Sequence, residues 1–129
     1  MKANFVFKVF FLGCLFAPLL MRAQTVFDVK EFGAKGDGKS MDSPAIQQAI
    51  DACSRSGGGK VVVPAGTYLS ATIVLKSHVC LYLEKDALIL GTTDYKAYKN
   101  LDPFTEGLGI DVGAALVVAV DADHVSLEG

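Results

Sequence analysis

Cationic residues are scarce in this chain. There are 12 Lys and Arg against 14 Asp and Glu among 129 residues, and the only arginines are Arg22 and Arg55. Three of the cations, Lys2, Lys8 and Arg22, fall within the first two dozen residues, so the remainder is more acidic still. A basic footprint for nucleic acid is therefore missing. Mild acidity does not exclude an anionic polymer as a partner, because a local basic cleft suffices to hold one. Long apolar runs are also lacking. The most apolar stretch, residues 9–20, is too short to cross a hydrocarbon core of ~30 Å comfortably, which disfavours a retained membrane anchor.

What that stretch does resemble is the core of a leader. Lys2 and Lys8 supply a basic start, the apolar run follows, and Met21-Arg22-Ala23-Gln24 ends it. Residues 1–23 read as a signal peptide cleaved after Ala23 or Gln24. Residues 24–129 are then one exported domain, periplasmic or extracellular, with no membrane association once the leader is gone. Gly13-Cys14 invites comparison with a lipid-attachment site, but the apolar run continues past Cys14, where a lipoprotein leader would already have ended. With Cys14 removed, Cys53 and Cys80 remain as candidates for one disulfide in an oxidising compartment. The favoured reading of each is a small buried apolar residue.

Residues 27–31 alternate as a short strand, after which Gly33, Gly36 and Gly38 mark a tight loop needing positive φ. Their order, Gly-x-x-Gly-x-Gly, is not the dinucleotide fingerprint, and no helix opens directly after it. Ser43-Pro44 starts a helix, with Ser43 placed to cap and Pro44 at the first helical position. Ile46, Ala49, Ile50 and Cys53 fall at i, i+3, i+4 and i+7, giving one apolar stripe, with Gln47, Gln48 and Asp51 facing away. Gly57-Gly58-Gly59 stops the helix. The lysine after these glycines does not make a phosphate loop, since the earlier glycine and the following Ser or Thr are missing.

Beyond the helix come short β-rich runs at 60–63, 68–75, 79–83, 87–90, 115–120 and 124–127, separated by turn-forming stretches. Strict alternation and two-residue hairpin turns, which a sandwich would show, are not prominent. The pattern points to an all-β fold, a parallel β-solenoid. The lone helix is its N-terminal cap, because the first coil of a solenoid leaves an apolar end that something must cover.

Four segments in order carry a resemblance. They are Phe27-Asp28-Val29, the loop Phe32 to Gly38, the helix Ala45 to Cys53, and Gly57-Gly58-Gly59 running on through Pro64-Ala65-Gly66-Thr67-Tyr68. Together with Leu81-Tyr82-Leu83-Glu84, Leu90-Gly91-Thr92 and Asp94-Tyr95-Lys96-Ala97-Tyr98, they resemble the start of glycoside hydrolase family 28, in the pectate lyase superfamily. The resemblance implies a right-handed parallel β-helix (solenoid), of which this chain holds the N-terminal coils only, and an inverting, polygalacturonase-like hydrolase whose partner is a pectic polysaccharide or oligosaccharide. It implies no cofactor and no metal. The family's catalytic Asn-Thr-Asp, Asp-Asp, Gly-His-Gly and Arg-Ile-Lys strings are not in this chain, so no catalytic residue is nominated. Asp121-Ala122-Asp123-His124 gathers two carboxylates and an imidazole, yet between two apolar runs it reads as a polar turn. Gly129 falls where the family continues into another turn and strand, so the chain reads as an interrupted solenoid. A β-helix lyase that removes a proton beside a uronate carboxyl, often with calcium, is one competing reading. A non-enzymatic carbohydrate-binding or structural module is the other.

Overall fold

The structure, a computed structural model, describes residues 23–101 and 113–129. Residues 1–22, which hold Cys14 and all of the signal segment but Ala23, lie outside the described residues. Strands β1 (Val26–Asp28), β3 (Gly59–Val63), β6 (Val79–Leu83) and β9 (Ser126–Glu128) form one all-parallel sheet in that order. A second parallel sheet orders β2 (Asp37–Met41), β4 (Gly66–Ser70) and β7 (Ala87–Gly91). A third pairs β5 (Ile73–Leu75) with β8 (Val117–Ala119). The chain thus visits the three faces in turn and returns to each one strand further on. This is the right-handed β-helix, with one α-helix among the described residues, α1 (Ser43–Arg55), near its start.

The inward positions of the coils hold the core. Val61, Val63, Tyr68, Ile73, Val79 and Leu81 have no exposed surface, and α1 lays Ile46, Ala49, Ile50 and Cys53 over them with none either. Burying each isoleucine contributes ~1.5 to 3 kcal/mol, so the helix is held by its stripe rather than by its length. Its capping role is more specific than a greasy lid. In the first coil α1 stands where a third-face strand would be, and Gln47 replaces that strand's backbone. The Gln47 carboxamide accepts from Val74 N at 2.8 Å and donates to Val74 O at 2.9 Å, pairing with β5 as a peptide group would. Gln47 therefore faces β5 rather than away from the fold, contrary to the expectation from the helical stripe.

Other expectations need correction at their edges. The strand expected over 27–31 stops at Asp28, and Val29–Phe32 forms a 3-10 turn capped by the Asp28 side chain, which accepts from Lys30 N. The run 68–75 is two strands, β4 and β5, with a corner at Ala71-Thr72. Strand β2, within a polar stretch, was not anticipated. Ser43 is not the helix cap. Asp42 occupies that position, 2 % exposed, and its carboxylate turns back to accept from Lys35 N at 2.8 Å and Gly36 N at 2.9 Å. The charge that would have capped α1 instead closes the glycine loop, where Gly33, Gly36 and Gly38 all have positive φ. At Gly36 a side chain would also press on the Tyr68 ring.

One corner is repeated from coil to coil. Gly58, His78 and His124 precede the inward residues of β3, β6 and β9, and all three take positive φ, at 99°, 64° and 55°. Gly59 N donates to His78 O and His78 N to Asp123 O, continuing the ladder around the bend. A Cβ at Gly58 would collide with His78, so the first of the three corners has to be glycine.

Candidate functional site

The surface with most chemistry is the outer face of the β1-β3-β6-β9 sheet. Val61 and Val63 point inward, so their neighbours Lys60 and Val62 point out, and β6 alternates likewise with Cys80 and Tyr82 outward. Register stacks Val26, Lys60, Cys80 and Ser126 in one row and Asp28, Val62, Tyr82 and Glu128 in the next. The Lys60 ammonium lies 4.4 Å from the centre of the Tyr82 ring, a cation–π contact. Both residues are half-buried, and such a contact is worth about 0.5 to 2 kcal/mol. An ammonium beside an aromatic face can meet an anionic sugar with charge on one side and a flat apolar surface on the other.

The two carboxylates stacked in these rows are too far apart to act together on one glycosidic bond. Asp28 and Glu128 are three strand spacings apart, about 14 Å at ~4.8 Å per strand. A pair acting on one bond sits roughly 5 to 9.5 Å apart. Among the described residues, the one carboxyl with a clear shift moves the wrong way for an acid. Asp37 is held at about 2 by hydrogen bonds from Ser40 N, Lys39 N and the Ser40 hydroxyl, so it stays ionised. Among the described residues no three His, Cys, Asp or Glu side chains are grouped to hold a metal.

Cys53 and Cys80 are buried free thiols. Cys53 belongs to the core beneath α1, whereas Cys80 lies between the inward Val79 and Leu81 and so points to the outer face. The sheet itself separates the two sulfurs. Burial pushes the Cys53 thiol up, with Cys80 adding to the effect, which leaves it a poor nucleophile. The segment Asp121 to His124 forms a turn. Asp121 and His124 take positive φ, and the main chain of Asp123 is tied to Ser77 Oγ and His78 N. The His124 ring stacks on His78 of the preceding coil, with centroids 5.1 Å apart. Stacked imidazoles with an interplanar angle of 19° do not converge their nitrogens on one ligand.

The Lys60–Tyr82 pair escaped the sequence reading. Both residues sat in expected strands, but only the register brings them together. Similarly, the helical stripe turns Gln47 outward, and only the folded chain supplies its backbone partner on β5. The extended groove beside the Gly57–Gly59 corner, about 440 Å³, is lined by residues 23–25, 56–59 and His78.

Comparison with known proteins agrees with this architecture. The family described as rhamnogalacturonase A/epimerase, pectate lyase-like, matches residues 26–89. The plasmin and fibronectin-binding protein A of Streptococcus pneumoniae is 47% identical over 92 residues, 70% of this chain and 13% of that protein. A mannuronan C5-epimerase of Azotobacter vinelandii is 47% identical over 66 residues, 51% of this chain and 4% of the epimerase. Among solved structures, a family 28 exopolygalacturonase of Yersinia enterocolitica superposes with a TM-score of 0.67 at 37% identity. It covers 77% of this chain and 17% of the exopolygalacturonase. The chain therefore spans a small part of each of these proteins. The resemblance to family 28 alone was too narrow, because the shared segments recur across hydrolases, epimerases and lyases. By sequence and by fold the chain is a right-handed β-helix protein of the pectate-lyase-like superfamily, related to family 28 hydrolases, C5-epimerases and alginate lyases.

Proposed function

We propose that this chain forms the N-terminal cap and first coils of an exported β-helix protein that acts on a polyuronate. The observation that carries the reading is the capped, three-faced parallel coil. It is shared with proteins whose names specify polygalacturonate, mannuronan and alginate, all uronic-acid polymers. The outer-face ammonium of Lys60 next to Tyr82 supports it as a contact suited to an acidic sugar. The reacting groups lie on further coils of the complete protein.

Chemistry at C5 of the uronate is the leading reading, because the epimerase and lyase relatives share it. A base removes the proton beside the carboxyl group. The resulting carbanion either expels the neighbouring glycosidic oxygen, leaving an unsaturated sugar, or is reprotonated from the other face. Inverting hydrolysis is the second reading, supported by the exopolygalacturonase superposition. The complete protein is to be incubated with polygalacturonate and with mannuronan. An ultraviolet-absorbing product marks a lyase, and a changed C5 configuration without chain shortening marks an epimerase. New reducing ends without absorbance mark a hydrolase. Binding with no turnover would make it a binding module, as similarity to the pneumococcal protein allows. Neither binding nor turnover on any polyuronate would refute the proposal.

A further inference from the structure

We propose that the mature protein begins with a pyroglutamate made from Gln24. The inference goes beyond the polyuronate reading and rests instead on export through the leader. Ala23, Gln24 and Thr25 are exposed and belong to no helix or strand, so the backbone there is accessible to a leader peptidase. Order begins immediately afterwards. Lys60 N donates to Thr25 O at 2.9 Å, and β1 starts at Val26. A cut after Ala23 thus leaves one residue, a glutamine, ahead of the first anchored carbonyl.

The new α-amine of Gln24 is then held within its own residue at five-membered-ring distance from the side-chain amide carbon. Such closure gains from the large effective concentration of an intramolecular reaction. The amine nitrogen bonds to Cδ, the Cδ–Nε2 bond breaks, and the departing nitrogen takes the amine's proton and leaves as ammonia. No oxidant or other reactant is required. The groove of about 440 Å³ around Gln24 leaves space for the ring, because its opposite wall is the glycine corner 57–59 with no side chains. A Cβ at Gly59 would in fact collide with Thr25 O, so this wall has to stay bare.

The lactam changes what the amino terminus presents. It removes a positive charge from a groove that His78 also lines. It also denies an aminopeptidase its free amine, one residue short of the Thr25 carbonyl that begins the β1–β3 ladder.

The test is to express the full leader-bearing protein in a secreting bacterium and measure the exported product by intact mass and stepwise amino-terminal sequencing. The expected product has the mass of the chain from Gln24 less one ammonia. It resists sequencing until pyroglutamyl aminopeptidase exposes Thr25. Gln24→Ala is expected to be exported and cut at the same bond but to yield a readable free amine. A wild-type product with a free amine at Gln24, or one beginning at Thr25, would overturn the proposal while leaving export standing. A retained leader would overturn both.

Discussion

Replacing Gln47 by alanine tests the idea that α1 caps the solenoid as a substitute strand. The side chain satisfies both main-chain groups of Val74, at 2.8 and 2.9 Å, in a part-buried setting. Each hydrogen bond contributes about 0.5 to 1.5 kcal/mol, and leaving a buried partner unpaired costs about 1 to 3 kcal/mol. Because water reaches part of this site, the lower ends apply, and the expected loss over the two bonds is about 1 to 2 kcal/mol. Helix propensity alone argues the opposite, since alanine is the better helix former. The sign of the effect therefore separates the two accounts. With a urea slope of about 1 to 2 kcal/mol/M for a domain of this size, the unfolding midpoint falls by about 0.5 to 2 M. Gln47→Glu sharpens the test. The carboxylate still accepts from Val74 N but faces Val74 O and Asp51 with negative charge, where the amide donated to both. Its deficit should be at least as large at neutral pH and shrink when the new carboxyl is protonated. An unchanged or raised midpoint for Gln47→Ala would refute strand mimicry.

Ile50→Asp places a charge in the sealed stripe of α1 and should cost several kcal/mol, read as loss of cooperative unfolding by circular dichroism. A normally folded variant would disprove the capping role. Tyr68 is fully buried and its hydroxyl has no partner. Tyr68→Phe is accordingly expected to be neutral or stabilising in thermal melts, and a clear loss would mean the hydroxyl is bonded in solution. The Asp37 carboxyl is depressed from 3.8 to about 2 by its hydrogen bonds, so its stabilising contribution is complete above about pH 4 and lost as pH falls through about 2. The stability gap between wild type and Asp37→Asn should close over that window, and a constant gap would contradict the assignment. Finally, Cys53 and Cys80 should both be alkylated after unfolding without reductant, with protection of either thiol showing that a disulfide had formed.

The helix and most strand positions were legible because they depend on local periodicity. Ile46, Ala49, Ile50 and Cys53 repeat at helical spacing whatever they pack against, and each was found sealed in the core. Where the reading failed, a nonlocal partner had overridden a local preference. Asp42 took the position that Ser43-Pro44 suggested for serine, because its carboxylate had the amides of Lys35 and Gly36 to satisfy. Strand β2 was missed because its polar sequence makes sense only as an outer strand against β4.

For the candidate site the division is similar. Sequence alone determined the superfamily signals and the lack of the hydrolase strings, since each is a matter of residue type and order. Tertiary structure decided which side chains meet. The parallel register set Lys60 against Tyr82, put Cys80 on the opposite side of the sheet from Cys53, and separated Asp28 from Glu128 by three strands. In a solenoid the contacts that matter join successive coils, and the length of each turn, not the spacing of residues within one strand, decides which residues come to lie side by side.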